Sequence, residues 1–297
     1  MILVAGSANL DFVVQAAHIP APGETVLGRD FRTFPGGKGA NQAIASARAG
    51  GAPTAMLLAL GNDAFAAPLE ASLSAAGVRI HVVRADDHAT GTAFICVADD
   101  AQNAITVAPG ANNALRDFHL PPLDGFSHLL LQLETPLAAV KAYALAARAR
   151  GVKVVLNAAP AQKLPRALLS QVDILVVNEG ELATVADHSG SVAQCLDKIE
   201  VPCVVVTLGV RGCIARIDGK VVTQEGFCVK AVDTTAAGDT FCGVFVAALG
   251  RRLAFTEALR EANAAAALAC TKLGAQSSIP TRAEVDSFLH KHAATST

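Results

Sequence analysis

The chain has 297 residues, 52% hydrophobic and 17% charged, which is enough apolar material for one large α/β unit with a substantial core and excludes disorder as its main state. Twenty-four Lys and Arg face 26 Asp and Glu with no basic run, and aromatics reach only 4% with no Trp; both argue against a nucleic-acid partner, which needs clustered cations or stacking rings. The mean hydropathy of +0.40 comes largely from alanine, and no apolar run reaches the roughly 18 to 20 residues of a membrane span. In chain order, the pattern predicts a strand at 2–5, a helix at 40–49, a strand at 54–59 and a helix at 64–75. A strand at 128–131, a helix at 136–150, strands at 152–156 and 174–177 and a helix at 179–186 come next. A strand at 203–207 and helices at 238–249 and 255–272 complete the reading. Such alternation describes βα units around a mostly parallel sheet. The opening Met1-Ile2-Leu3-Val4 carries no basic, export-type leader, so a cytoplasmic location is expected. Seven cysteines never form a CxxC pair and read as reduced interior fillers.

Two stretches, 12–34 and 90–107, break the rhythm with short β-type runs, polar turns and no helix. They fit a small β-ribbon returning twice from one domain spanning 1–297, either as a lid over a site at the sheet edge or as plain surface hairpins.

Two segments carry most of the chemistry. Val232-Asp233-Thr234-Thr235-Ala236-Ala237-Gly238-Asp239-Thr240-Phe241 joins a β-type run to a helix through small residues, so the N–H groups of Ala236 to Asp239 are expected to point unpaired into a cleft, as in an anion site at a helix N-terminus. Asp239 is then either an ordinary carboxylate favoured by the helix dipole or a base that takes a proton from an attacking hydroxyl. Pro35-Gly36-Gly37-Lys38-Gly39-Ala40-Asn41-Gln42-Ala43 is a second glycine-rich turn opening a helix. It is neither a Walker A loop nor GxGxxG. Asn9 and Asp11 after the first strand, Glu134 after the strand at 128–131, and Asn178 with Glu181 after the strand at 174–177 put carboxylates and amides at strand ends, where they serve either as caps and Asx turns or as ligand-binding groups.

From about Val4 to Leu289 these residues resemble one family, the ribokinase-like (PfkB) carbohydrate kinases. GGKGANQA at 36–43 and VDTTAAGDTF at 232–241 match its two signature regions, and GSANLD at 6–11, QLETP at 132–136, NAAPA at 157–161, NEGE at 178–181, TLGVRG at 207–212 and GAQSSIP at 274–280 are also similar. The resemblance implies a three-layer αβα fold with a mostly parallel sheet and a β-ribbon lid. It also implies transfer of a phosphoryl group from ATP to a primary hydroxyl of a small sugar, the 5-hydroxyl of D-ribose first, with deoxyribose, fructose, a keto-deoxy sugar acid or a nucleoside as sibling substrates. Mg²⁺, a monovalent cation such as K⁺, and a homodimer joined through the lid are implied as well. A non-catalytic sensor on the same fold is the other possibility, disfavoured by the intact Asp239 and NxxE element.

By the same resemblance Asp239 is the base, and Ala236, Ala237 and Gly238 form the anion hole. Asn9, Asp11, Gly37, Lys38, Asn41 and Glu134 bind the sugar under lid residues Ala93, Ile95 and Val107. Asn178 and Glu181 organise Mg²⁺ and phosphates, Thr207, Gly209 and Gly212 form the nucleotide loop, and Asn263 lies near the adenine. Asp233, the carbonyls of Thr235, Ala269, Lys272 and Gly274, and the Ser278 hydroxyl make the monovalent-cation site. Leu10, Thr235 and Asn263 depart from the family's usual residues, which bears on sugar preference and adenine affinity and leaves the reaction unchanged.

Overall fold

The computed structural model describes residues 1–100 and 102–294. The strands are β1 (Ile2–Ala5), β2 (Asn9–Ala16), β3 (Arg29–Gly36), β4 (Thr54–Gly61), β5 (Arg79–Ala85), β6 (Gly91–Ala98), β7 (Asn103–Ala108), β8 (His128–Leu131), β9 (Lys153–Asn157), β10 (Ile174–Asn178), β11 (Cys203–Thr207), β12 (Cys213–Ile217) and β13 (Lys220–Gln224). The helices are α1 (Lys38–Ile44), α2 (Ala66–Ala75), α3 (Leu137–Ala149), α4 (Arg166–Leu169), α5 (Glu179–Ala186), α6 (Val192–Leu196), α7 (Ala237–Gly250), α8 (Phe255–Ala269) and α9 (Arg282–Ala294).

A nine-stranded sheet runs in the order β13-β12-β11-β10-β9-β8-β1-β4-β5. The strands from β11 to β5 are parallel, and the β12–β13 hairpin is added antiparallel at one edge. Strands covered on both faces need apolar residues throughout, which is why β1 reads Ile-Leu-Val-Ala without alternation. Ile2, Val4, Met56 and Leu58 face α1, α7 and α8, whereas Leu3, Ala5 and Leu57 face the layer that holds Tyr143 and Val140 of α3. The expected three-layer arrangement is therefore present. From β1 the chain moves to β4 and β5 on one side and later opens the other side with β8, so the strand order reverses between β1 and β8 and leaves a crevice at their carboxyl ends. Among the described residues no helix is long and apolar enough to cross a membrane.

A second sheet, β3-β2-β6-β7, comes from two insertions, one between β1 and α1 and the other between β5 and β8. Parallel pairing of β2 with β6 joins them, with Asp11 opposite Ala93, and Ala93 opposite Val107 on β7. On the other face Phe12 stacks on Phe31 and Phe94 at 6.0 and 5.4 Å and meets the edge of Phe65, just ahead of α2, at 5.3 Å. The aromatic cluster thus anchors the small sheet to the body and leaves Asp11 facing the crevice.

The helix expected at 40–49 begins earlier, at Lys38, and beyond Ile44 widens into a π-helical turn at Ala45–Ala49, closed by Gly50 N–H donating to the Ala45 carbonyl at 2.8 Å. The sequence reading did not include β5, β12, β13, α4, α6 or α9.

Glycines set how closely α1 approaches its neighbours. A Cβ on Gly37, whose φ is 90°, would lie 2.8 Å from Ala8 Cα and Asn9 N, and one on Gly39 would lie 2.6 Å from Ser7 N. On α7, a Cβ on Gly243 would overlap the Gln42 carbonyl oxygen and come within 2.7 Å of Ala45 Cβ. Backbone atoms cannot swing aside as a side chain can. Gly243→Ala should destabilise the protein by ~1–3 kcal/mol, despite the ~1 kcal/mol of helix propensity alanine brings; urea melts with a midpoint at or above wild type would contradict this.

Candidate active site

Asp239 sits in the first turn of α7 and is buried. Ala236, ahead of the helix, takes a left-handed φ of 59°, a strained setting for a residue with a Cβ that turns the chain sharply into α7. Both carboxylate oxygens accept side-chain amides from α1: Asn41 Nδ2 donates to Oδ2 and Gln42 Nε2 to Oδ1, each at 2.9 Å. Gln42 Nε2 also donates to Asn157 Oδ1 at 3.0 Å, and Gln42 Oε1 accepts from Gln132 Nε2 at 2.6 Å. Gln42, Gln132 and Asn157 fall within motifs quoted from the sequence but were given no role of their own. Their partners lie far along the chain, so no local pattern marks them.

The N–H groups of Ala236 to Asp239 are not all free, as the sequence had implied: Ala237 N–H donates to the Thr234 carbonyl at 3.2 Å, closing the turn that the left-handed Ala236 requires. Gly238 and Asp239, whose N–H groups belong to the first helical turn and have no intrahelical acceptor, line the adjoining cavity together with Ala236.

That cavity has a volume of about 240 Å³ and is also bounded by Lys38, Asn178, Glu181 and Thr207. Asn178 and Glu181 form a reciprocal cap on α5, Glu181 N–H donating to Asn178 Oδ1 and Asn178 N–H to Glu181 Oε2, both at 2.8 Å. Capping thus uses one oxygen of each side chain and leaves Glu181 Oε1 for other partners. Burial pushes the Glu181 carboxyl above its usual range, whereas the Asp239 charge holds the Lys38 ammonium above the usual lysine range despite desolvation. A second, mostly apolar cavity of about 450 Å³ shares Thr207, Thr234 and Gly238 with the first and includes Gly209, Gly212, Phe241 and Asn263. Asn263 is buried, with its Nδ2 3.4 Å from Cys213 Sγ. Side by side, a polar pocket with one ammonium and helix-terminal N–H groups, and an apolar slot, suit a phosphate chain and a flat base.

On the other side of Asp239 lie the residues read as sugar-binding, except Lys38, whose side chain borders the first cavity. Asp11 leaves β2 beside Gly36, where any Cβ would overlap its carboxylate. Burial, then the charges of Glu134 and Asp239, raise the Asp11 carboxyl to about 7. Glu134 Oε2 accepts the Ser7 hydroxyl at 2.6 Å and the Lys38 N–H at 3.1 Å, tying the start of α1 to the ends of β1 and β8. Asn9 is buried and its Oδ1 accepts Asn112 Nδ2 at 2.7 Å, a partner the sequence did not indicate. Asn41 Oδ1 is buried without a hydrogen-bond partner. Ala93 is buried, Ile95 half-buried and Val107 exposed on the small sheet.

In the loop ahead of α7, Asp233 Oδ1 and Oδ2 accept the N–H groups of Thr235 and Gly274, each at 2.8 Å, which holds the carboxyl below its usual range against the opposing effect of burial. The bonds draw the Thr235 loop against the segment carrying Ala269, Lys272, Gly274 and Ser278, where the buried Ser278 hydroxyl donates to the Ala275 carbonyl at 2.8 Å. The Asp233 carboxylate, the Ser278 hydroxyl and the main-chain carbonyls of that segment are all oxygen donors, the kind a hard monovalent cation takes.

A model of the pfkB family carbohydrate kinases matches residues 1–282. The chain belongs to this pfkB family. It is 42% identical to the ribokinase of Haemophilus influenzae over 97% of this chain and 98% of that one. Among solved structures it is similar to the ribokinase of Thermotoga maritima, with a TM-score of 0.90 and 36% identity over 97% of this chain and 99% of that one. The structure of Arabidopsis thaliana ribokinase complexed with ribose and ATP matches with a TM-score of 0.89 and 33% identity over 97% and 98% of the two chains. As a pfkB carbohydrate kinase the chain is a phosphotransferase that acts on a sugar hydroxyl.

The burial of Asp11 beside other carboxylates in this pfkB site has a consequence for stability. A carboxyl at about 7 in the folded state and 3.8 otherwise binds more protons folded than unfolded, so its ionisation lowers stability progressively as pH rises from about 4 to 7. Asp11→Asn should melt above wild type at pH 8, with the gap closing as pH falls toward 4, as read by differential scanning fluorimetry without ligands. A gap that is independent of pH would contradict the assignment.

Proposed function

We propose that this pfkB kinase phosphorylates the 5-hydroxyl of D-ribose with ATP, giving D-ribose 5-phosphate and ADP, as a single domain spanning 1–297 whose lid comprises about 12–34 and 90–107. The observation that carries the reading is the position of Asp239, a buried carboxylate bordering a cavity suited to phosphates and sharing a crevice with Asp11 and Glu134. The choice of ribose is supported by the likeness to the ribokinase complexed with ribose and ATP. Asp11, as a carboxylate, accepts two neighbouring sugar hydroxyls, and the unpartnered Asn41 Oδ1 accepts another. Asp239 removes the proton of the primary hydroxyl as its oxygen bonds to the γ-phosphorus and the bond to the β-bridging oxygen breaks, releasing ADP.

The Gly238 and Asp239 N–H groups and the Lys38 ammonium neutralise charge on the transferring group. Glu181 Oε1 and Asn178 are the residues that would hold Mg²⁺ through water, and the ion neutralises phosphate charge when bound with ATP. Asp233, Ser278 and the adjoining carbonyls would hold K⁺, fixing the loop that leads into α7. The small sheet, with Phe31, Phe94 and Ile105 exposed, closes over the sugar and pairs with its counterpart in a homodimer.

An assay of ADP release across sugars and nucleosides tests the reading. D-ribose should be the best acceptor, ATP hydrolysis without sugar should be slow by comparison, and Asp239→Asn should lose about 10² to 10⁴ in turnover; wild-type turnover in that variant would remove the base. Replacing Na⁺ by K⁺ should raise the rate, and an Asp233→Asn variant should lose that response. Identical rates in the two salts would refute the cation site.

A further inference from the structure

We infer that Gln42 and Gln132 are positioning residues for the phosphoryl transfer, forming a buried chain of carboxamides that fixes the orientation of the Asp239 carboxylate. The inference rests on Asp239 acting as the base, and it adds residues from α1, from β9 and from just beyond β8 that act through it.

The chain has only one self-consistent arrangement. An ionised carboxylate only accepts hydrogen bonds, so Gln42 must turn its NH₂ toward Asp239 Oδ1. The second N–H of that group goes to Asn157 Oδ1, and Asn157 is held in the matching orientation because its own NH₂ donates to the Val176 carbonyl at 3.1 Å. Both acceptors of the Gln42 NH₂ are thereby fixed, one by charge and one by a main-chain carbonyl of β10. Gln42 Oε1 then points the other way and receives Gln132 Nε2 at 2.6 Å. The last acceptor, Gln132 Oε1, is buried without a partner and packs over Gly6, where a Cβ would overlap it.

Gln42, Gln132 and Asn157 are all buried, and removing the Gln42 amide would leave Asp239 Oδ1 without the donor it has now. Asn41 holds the other oxygen, Oδ2, so the two amides together prevent rotation of the carboxylate about χ2. Each oxygen keeps a further lone pair for the substrate hydroxyl.

The test is steady-state kinetics with D-ribose and ATP at 25 °C on Gln42→Met, Gln132→Met, the double variant and Asp239→Asn, each normalised to folded protein by circular dichroism. Gln42→Met should lower kcat about 10- to 100-fold, the usual scale for misplacing a reacting group by an ångström or so, with KM for both substrates unchanged. Gln132→Met should lower kcat less, again without moving KM. Because Gln132 acts through Gln42, the double variant should be no slower than Gln42→Met. Wild-type kcat in Gln42→Met, losses that multiply in the double variant, or a KM that rises with the loss of kcat would each overturn the inference. Should Gln42→Met fail to fold, Gln132→Met decides alone, a lowered kcat at constant KM supporting the inference and wild-type kcat overturning it. Full turnover in Asp239→Asn would overturn the base and this inference together, whereas an inactive Asp239→Asn beside an unimpaired Gln42→Met would overturn this inference alone.

Discussion

The site depends on one steric constraint, the close approach of α1 to the end of β1 and to the flank of α7. Gly37 and Gly39 let the first turn of α1 lie against the backbone of Ser7 to Asn9, and Gly243 lets α7 lie against the carbonyl of Gln42. With both contacts made, adjacent residues of one helix, Asn41 and Gln42, reach the two oxygens of a single carboxylate on another. A methyl group at any of these glycines would meet backbone atoms. The glycine-rich segment, which does not match a phosphate loop, therefore has a packing role that precedes any ligand-binding one.

The packing also gathers charge. Glu134, Glu181 and Asp239 converge on the Lys38 ammonium, which their charges help to hold above its usual range, and Glu134 and Asp239 also face the buried Asp11 carboxyl. Such an excess of carboxylate is unfavourable in the empty protein, and the raised Asp11 carboxyl is one expression of it. It also divides the crevice by chemistry. The Asp11 and Glu134 side favours neutral, hydroxyl-rich groups and repels phosphate, whereas the side with Lys38 and the α7 N-terminus attracts anions. Under the proposed assignment, a sugar and a triphosphate are thus directed to opposite sides of Asp239 before any close contact forms.

How much of this could be read in the sequence depended on how far apart the interacting residues lie. Strands β1, β8 and β11 were legible to the residue because a buried parallel strand must be apolar on both faces. Helix α5 was legible to the residue as well, with Asn178 and Glu181 at its start. Strand β5 was missed because Arg79, His81 and Arg84 make this edge strand look polar. Two local signals were present but unused: Asp218-Gly219, both at positive φ, turns the β12–β13 hairpin, and Thr281 with Glu284 caps α9. The parallel β2–β6 pairing and the Gln132–Gln42–Asp239 contacts join residues roughly 80 to 200 positions apart, and no local periodicity encodes them. Asp239, Lys38 and Glu181 were each legible as chemistry, but that they border one cavity is a property of the fold.

The choice of neutral amides around Asp239 has a chemical logic. A guanidinium in place of Gln42 would hold the same two oxygens in a bidentate grip, but its charge would favour the ionised carboxylate and oppose uptake of a proton. Carboxamides fix where the oxygens lie while adding no net charge at the point where the proton must arrive. The cationic groups, Lys38 and the N-terminus of α7, instead border the cavity proposed for the phosphates. Geometry and charge are thereby supplied by different residues.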